Sequence, residues 1–416
     1  MTSSSPTEAS LRWAPWWVLA FVALWPLRGP AEAVLSLGAL AALAVLALYR
    51  FRGGMSLLSH EAWALTSVLF FAYWLPELFS SVGAVDAGRA LRESLIDLRY
   101  LPFLWLVAMA VANERGRRVT FTGIAIIAGL WLADALVQAV TGWSVGGPAT
   151  ADRLSGVFGA GNLKLGLVLA SLAPFPLAAS ANRFGVVGWV LTAAALVVVV
   201  LLAGARASWL TLGLVLVFSG WRHLGSKRAM LVLGLGGALL FALSLTLSDK
   251  LQERVERTEA VLNGGSEDLD HALSGRLPIW QAAWNMALAH PVNGVGVRGF
   301  RQAYPAHATD DDPWLQDAEH GAGYHAHQIV LEVLSETGFL GLFLWLGGVA
   351  LAWRAWRFAS PEAREQARAP ALALFVTVFP LNTHLAFYST FWGGLTLLLA
   401  ALYAGSLLAA PARAAD

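Results

Sequence analysis

Two histidines, His325 and His327, stand at the mouth of a long apolar run, with Glu332 and Glu336 a short way into it. Imidazole is the one side chain whose ordinary pKa lies near neutrality, so a histidine at such a boundary suits general-base chemistry. The bland alternative is a hydrogen-bonded structural residue. His327 is the candidate base, and His325 is expected to matter much less. On a helix, residues two apart point to different sides, so the two rings could not grip one metal ion. In an extended stretch they could share a face, but a third ligand would have to come from His307, His320 or the run Asp310, Asp311, Asp312. No metal is expected, and the acidic run before Pro313 reads as a solvated loop.

Arginines supply the second kind of chemistry. Arg206 lies in Gly204-Ala205-Arg206-Ala207-Ser208, a tight break between apolar runs where small neighbours allow close approach. A guanidinium there either snorkels to head groups or serves as a permanently charged, bidentate fork for a diphosphate. Arg276 lies in Ser274-Gly275-Arg276-Leu277-Pro278, where a helix should begin with Ser274 as its cap. Donor groups at a helix start plus an Arg form an anion site, and a rim salt bridge is the alternative. Arg89, Arg92 and Arg99 crowd one short loop, and helical spacing would bring them to one face. They are candidates for the same anion, with anionic lipid head groups as the other partner.

One match misleads. Gly294-Val295-Gly296-Val297-Arg298-Gly299 fits the dinucleotide fingerprint letter for letter, yet no strand precedes it and no crossover unit surrounds it. It reads as a glycine-rich turn.

The elements that must position these groups are membrane spans. The chain has 416 residues, is 57% hydrophobic and only 13% charged, and has more apolar surface than a water-soluble core could hide. Cysteine is absent, which removes disulfides, thiol nucleophiles and cysteine-ligated zinc. At roughly 20 residues per crossing, candidate spans fall near 13–29, 31–49, 62–82, 100–112, 119–140, 162–180, 185–203, 207–221, 229–248, 327–353, 370–386 and 388–409. The polar start lacks a cleavable-signal pattern, so the first run reads as a retained span. With the N-terminus inside, the loops holding Arg50 and Arg52, Arg115, Arg117 and Arg118, Arg183, Arg222, Lys227 and Arg228, and Arg354, Arg357, Arg364 and Arg368 are all cytoplasmic. The long polar segment then lies outside. The expected fold is an all-α integral membrane protein of about twelve transmembrane helices with one long external loop. Its parts are an N-terminal bundle (1–248), a loop domain (249–326) and C-terminal helices (327–416). A short helix is expected over Leu277 to Ala289, where Trp280, Ala283, Trp284 and Ala287 recur at helical spacing.

Three strings carry a resemblance. Ser274-Gly275-Arg276-Leu277 with Trp280, then His290-Pro291-Val292-Asn293-Gly294-Val295-Gly296 with Phe300 and Tyr304, then His327 with Leu331, Glu336, Thr337 and Gly338, together resemble the O-antigen ligase and polymerase superfamily. Arg206 resembles the arginine at the outer end of an earlier span in that family. The likeness covers roughly residues 200 to 345, and it departs where the family's His-Asn pair is here His327-Gln328. It implies a GT-C-like architecture in the bacterial inner membrane with the active site on the periplasmic face. It also implies a donor glycan on undecaprenyl diphosphate and, for a ligase, a sugar hydroxyl of lipid A-core as acceptor. His327 would be catalytic, Arg206, Arg276, Arg89 and Arg92 would hold the diphosphate, and Glu336, Gln328 and Arg99 would support them. Neither a cofactor nor nucleic acid is implied. Rival readings are O-antigen polymerase, protein O-oligosaccharyltransferase and, from a different class, a lipid or solute transporter.

Overall fold

The computed structural model describes residues 11–27, 29–51, 57–149, 153–224, 275–316, 325–382 and 386–409, with Gly234. The helices before the long polar segment are α1 (Ala14–Ala23), α2 (Pro30–Phe51), α3 (His60–Ser80), α4 (Ala87–Asp97), α5 (Tyr100–Ala110), α6 (Glu114–Thr141), α7 (Lys164–Leu172), α8 (Pro174–Leu202) and α9 (Arg206–Leu224). Those after it are α10 (Leu277–Ala289), α11 (Phe300–His307), α12 (Pro313–Gln316), α13 (Ile329–Phe358), α14 (Pro361–Thr377) and α15 (Thr390–Leu407). A two-residue hairpin, β1 (Trp143–Ser144) against β2 (Gly147–Pro148), is the sheet among the described residues.

Six helices are long and apolar enough to cross a membrane: Pro30–Tyr49 within α2, and α3, α6, α8, α13 and α15. The chain is therefore an all-α, multi-pass membrane protein. The expected runs at 13–29 and 100–112 fold as the shorter α1 and α5; eleven residues of α5 rise only about 17 Å. Gly185, at φ 63°, divides α8 into two helices, so the runs expected at 162–180 and 185–203 correspond to α7 with the first part of α8 and to its second part. The run at 229–248, Gly234 apart, and the segments 249–274 and 317–324 lie outside the described residues.

Within lipid, helices gain little from apolar burial against one another, and close packing takes over. α3 packs along α13, α15 against α5 and α14, α6 against α8, and α2 against α5. Aromatic contacts lock the centre: Phe21 meets Phe103 edge-on at 4.9 Å, and Trp25 meets Phe391 at 5.6 Å.

The bundle has two unlike ends. At one, Arg222 of α9 pairs with Glu365 of α14 at 2.6 Å, Arg364 donates to the Trp356 and Arg357 carbonyls that close α13, and the Ser59 hydroxyl donates to the Leu408 carbonyl. At the other end sit α4, the hairpin, the starts of α9, α13 and α15, and a small cap formed by α10, α11 and α12. The cap has its own apolar cluster, including Ile279, Ala283, Met286, Val295, Phe300 and Tyr304.

The helix expected over Leu277 to Ala289 forms with those bounds, and its buried stripe is Ile279, Ala282, Ala283, Met286 and Ala287, which includes the expected Ala283 and Ala287. Trp284, expected on that stripe, is 43% exposed. Arg276 occupies the N-cap position; Ser274, expected there, lies outside the described residues. The acidic run is corrected too. Asp310 and Asp311 are exposed, but Asp312 is buried, accepting from the Tyr304 hydroxyl at 2.8 Å and from the Trp314 amide at 2.8 Å.

Candidate functional site

The site is organised by a broken helix. Gly338, at φ 66°, interrupts α13, and a helix break at membrane depth leaves backbone groups that must find partners within the protein. The motif His290 to Gly296 supplies them. The amides of Phe339 and Leu340 donate to the carbonyls of Pro291 (2.8 Å) and Val292 (3.1 Å), opening the second half of the helix. The amides of Val295 and Gly296 donate to the carbonyls of Ser335 (2.9 Å) and Glu336 (3.0 Å), closing the first half. The approach demands glycine on both sides: a Cβ on Gly294 would lie 2.3 Å from the Glu336 backbone, and one on Gly338 would lie 2.4 Å from that of Val292. The apparent dinucleotide fingerprint is thus a turn that seals a membrane helix. It also ties down α3, because the Val297 amide donates to the Ser80 hydroxyl and the Val85 amide to the Val295 carbonyl.

Arg298, next along this turn, is the centre of the site. Its backbone sits in the left-handed region at φ 56°. Its guanidinium pairs with Glu93 and with Asp97 (3.4 Å) of α4, and donates to the Tyr388 carbonyl (2.8 Å) and the Thr390 hydroxyl (3.3 Å). Its backbone amide donates to Glu336 Oε2 at 2.8 Å. One residue therefore joins the cap, α4, α13 and the start of α15. Glu77 of α3, fully buried, interacts electrostatically with Arg298, Asp97 and Glu336. Burial works against the charge of Arg298, but Asp97, Tyr73, Glu93 and Glu77 hold its pKa above the ordinary value. Burial also lifts the Asp97 carboxyl to about 6, with Arg298 and Arg99 pulling the other way.

Beside this hub lies a cavity of about 590 Å³ lined by Arg89, Arg298, Arg301, Gln302, His325, Glu332, Glu336 and the segment Tyr388 to Thr390 with Ala386. Its depth is acidic: Glu332 and Glu336 are 2% and 3% exposed, one turn apart on the first half of α13. Its rim is basic. Arg89 projects from α4, which is capped by Asp86 accepting from the Arg89 amide at 2.9 Å.

His325 and His327 precede α13 and are not helical; their rings lie 3.9 Å apart. Neither the helical nor the extended alternative brings them together: His327 sits at φ 53°, the left-handed region that non-glycine residues seldom adopt. Helix α13 starts only at Ile329, with Gln328 as its cap: Oε1 accepts from the Leu331 amide at 2.6 Å and Nε2 donates to the Pro380 carbonyl at 2.9 Å. Arg206 begins α9 after Gly204, at φ 76°, turns the chain. Arg206 and Arg276 act on one another. Burial, then Arg206, lowers the pKa of Arg276; burial, then Arg276, lowers that of His325 to about 4.

Of the residues selected from sequence, Arg89 and Glu336 line the cavity, and Gln328 caps the helix that carries Glu336. The His327 ring lies against that of the cavity residue His325, tilted by 42°, and Arg276 acts electrostatically on His325. Arg92 is exposed on α4. Arg99 lies beyond the end of α4, in a 3.1 Å ion pair with Glu32 and a hydrogen bond to the Ser36 hydroxyl. Arg298, Arg301, Glu93 and Asp97 were not among the sequence candidates, and Glu332 was noted beside Glu336 without a role. For Arg298 the signal was its place inside the glycine-rich motif; for Glu332 it was a carboxylate one turn before Glu336 in an apolar run. Among the described residues no group of three His, Asp or Glu side chains is arranged to hold a metal ion.

A multi-pass membrane protein with a polar, charge-lined cavity at one end of its bundle is the class that fold and site define. Residues 191–346 match the family model described as O-antigen ligase, a stretch running from the second part of α8 through the cap to the broken helix. Over that stretch the chain is similar to the O-antigen ligase and polymerase superfamily, in agreement with the resemblance of its motifs. No curated protein matches it significantly.

Proposed function

We propose that the protein is an O-antigen ligase, which transfers a glycan from undecaprenyl diphosphate to a sugar hydroxyl of lipid A-core on the periplasmic face of the inner membrane. The observation that carries this reading is that two arginines from separate elements, Arg206 and Arg276, share one electrostatic field beside a histidine pair, within the family-matched stretch. Holding like charges together is costly, and a bound dianion repays the cost.

In this reading Arg206 and Arg276 hold the diphosphate, with Arg89 and Arg92 at the rim. Their permanent charge stabilises the charge that grows on the leaving group, in place of a metal ion. The acceptor oxygen attacks the anomeric carbon as His327 takes the hydroxyl proton. The bond from that carbon to the phosphate oxygen breaks, its electron pair leaves with undecaprenyl diphosphate, and the configuration inverts.

The test is purified protein with lipid-linked glycan and lipid A-core. Appearance of glycan on lipid A-core, undiminished by a chelator, is the expected result. Longer lipid-linked polymer would identify a polymerase, and binding without any product would favour a transporter. Orientation is tested separately in this cysteine-free chain: an impermeant thiol reagent should label a Thr309→Cys form and spare a Ser360→Cys form. The reverse pattern would overturn the topology.

A further inference from the structure

We infer that His325 and Glu332 are positioning residues that share one proton and thereby hold His327 in its strained turn. The reasoning begins with His325 Nδ1, which receives the backbone N–H of His327 at 3.2 Å. A ring nitrogen that accepts carries no proton of its own, so His325 is neutral with its proton on Nε2. This hydrogen bond ends on the residue whose φ of 53° is otherwise unfavourable, and the two rings lie 3.9 Å apart at a tilt of 42°.

The same nitrogen lies 3.5 Å from Glu332 Oε2, an oxygen with no hydrogen-bond partner on a side chain only 2% exposed. A carboxylate oxygen facing an imidazole lone pair is repulsive, so the contact is attractive only with a proton between them. If Glu332 carries the proton, Nδ1 keeps its lone pair for the His327 amide and the turn is held. If the proton passes to His325, Nδ1 becomes a donor, the bond from the His327 amide is lost, and the turn is released.

The surroundings favour the first arrangement. Arg276 acts electrostatically on the His325 ring, and Arg206 acts on Arg276. Arg298, Arg301 and Arg89 line the cavity from the cap and α4, all disfavouring an imidazolium. Glu332 Oε1 is occupied by the Tyr388 amide at 3.3 Å, which leaves Oε2 to bear the proton. Glu336 lies one turn further along the same helix, and Glu77 of α3 interacts electrostatically with it.

The inference rests on the proposed base role of His327 for its kinetic consequences, but not for the proton's location. Two measurements separate the two. The first is nitrogen NMR of imidazole-labelled full-length protein in detergent, with His325 assigned by its loss in His325→Asn. It should report a neutral ring with Nδ1 unprotonated from pH 8 to pH 6, in the wild type and in Glu332→Gln, whose amide donates as the protonated acid does. A proton on Nδ1 at neutral pH would overturn the proposal, whatever the enzyme does. The second is glycan transfer as a function of pH. His325→Asn retains an acceptor oxygen close to the Nδ1 position and should stay within about threefold of wild type, whereas His325→Ala should fall on the order of tenfold, as loss of one buried hydrogen bond does. Glu332→Gln, which keeps a donor facing Nδ1, should likewise stay within about threefold and keep the wild-type pH profile. Equal losses in His325→Asn and His325→Ala, or a loss in Glu332→Gln as large as that in His325→Ala, would show that the pair does not position the base. A wild type without transfer would count against the proposed function, and the NMR result alone would then decide the pair.

Discussion

The two ends of the bundle carry the same kinds of charge in opposite settings. At one end Arg118 pairs with Glu114 one helical turn away at 2.8 Å, with side chains 76% and 78% exposed. At the other, Arg298 pairs with Glu93 and Asp97, with side chains 19%, 17% and 2% exposed. An exposed pair forms in water that already solvates both ions, and it is worth about 0–1 kcal/mol. A buried pair has given up that water, so its partners depend on each other. Arginines occur at both ends, and what distinguishes those of the site end is burial and convergence. Charge count is therefore a guide to which way the chain faces, and charge burial is the guide to where it works.

Substitutions at the site end should break function or fold in ways the other end does not match. The largest effect is expected from His327→Ala: a folded protein that loses transfer by about 10² to 10⁴-fold, the usual contribution of a general base. Near wild-type turnover, or a product retaining the donor's anomeric configuration, would remove His327 from that role. Next is Arg298→Ala, which strands two carboxylates and opens the junction of cap, α4, α13 and α15. It should destabilise by about 3 kcal/mol or more, while Arg118→Ala at the opposite end should cost less than about 1 kcal/mol. Denaturation monitored by tryptophan fluorescence would read both, and equal losses would dissolve the comparison. Third, Arg206→Ala and Arg276→Ala should each lower transfer more than tenfold, with Lys a poor substitute because it lacks the bidentate fork. Full activity in both Lys forms would exclude that geometry.

Much of this was legible in the sequence because the bilayer is a demanding solvent. Its need for long apolar runs marked most of the described helices, and the sparing of one face by Lys and Arg separated the two ends. The α10 helix was readable to its bounds from spacing and Pro278. The hub at Arg298 was not, since its partners come from positions some two hundred residues upstream on α4, from the turn before α13's break, and from the segment before α15. No local pattern encodes such a meeting. The pairing of His325 with His327 was invisible for a different reason: it depends on a left-handed backbone at His327, which neither helical nor extended spacing anticipates. Asp312 looked like one of three solvated carboxylates, and only the fold reveals that Tyr304 and Trp314 claim it.

The smallest expected effect is a pair of opposed pH dependences at the site end, absent from the other. Asp97 is raised to about 6, by burial first. A carboxyl raised in the folded state holds its proton where the unfolded chain has lost it, so its contribution is complete below about pH 4 and disappears as pH rises towards 6. His325 is lowered to about 4, by burial and then by Arg276. There the unfolded chain binds the proton first, so a penalty sets in below about pH 6.5 and grows as pH falls towards 4. The two slopes occupy one window with opposite signs and partly cancel. Asp97→Asn removes the component that falls with pH, so the melting temperature of this variant should climb more steeply than that of wild type between pH 4 and 6.5. His325→Asn removes the rising component and should tilt the profile the other way. Glu114→Gln, which disrupts only the exposed pair, should leave the profile parallel to wild type. Superimposable profiles for wild type and Asp97→Asn would mean that Asp97 is ionised throughout, with Arg298 offsetting its burial in full.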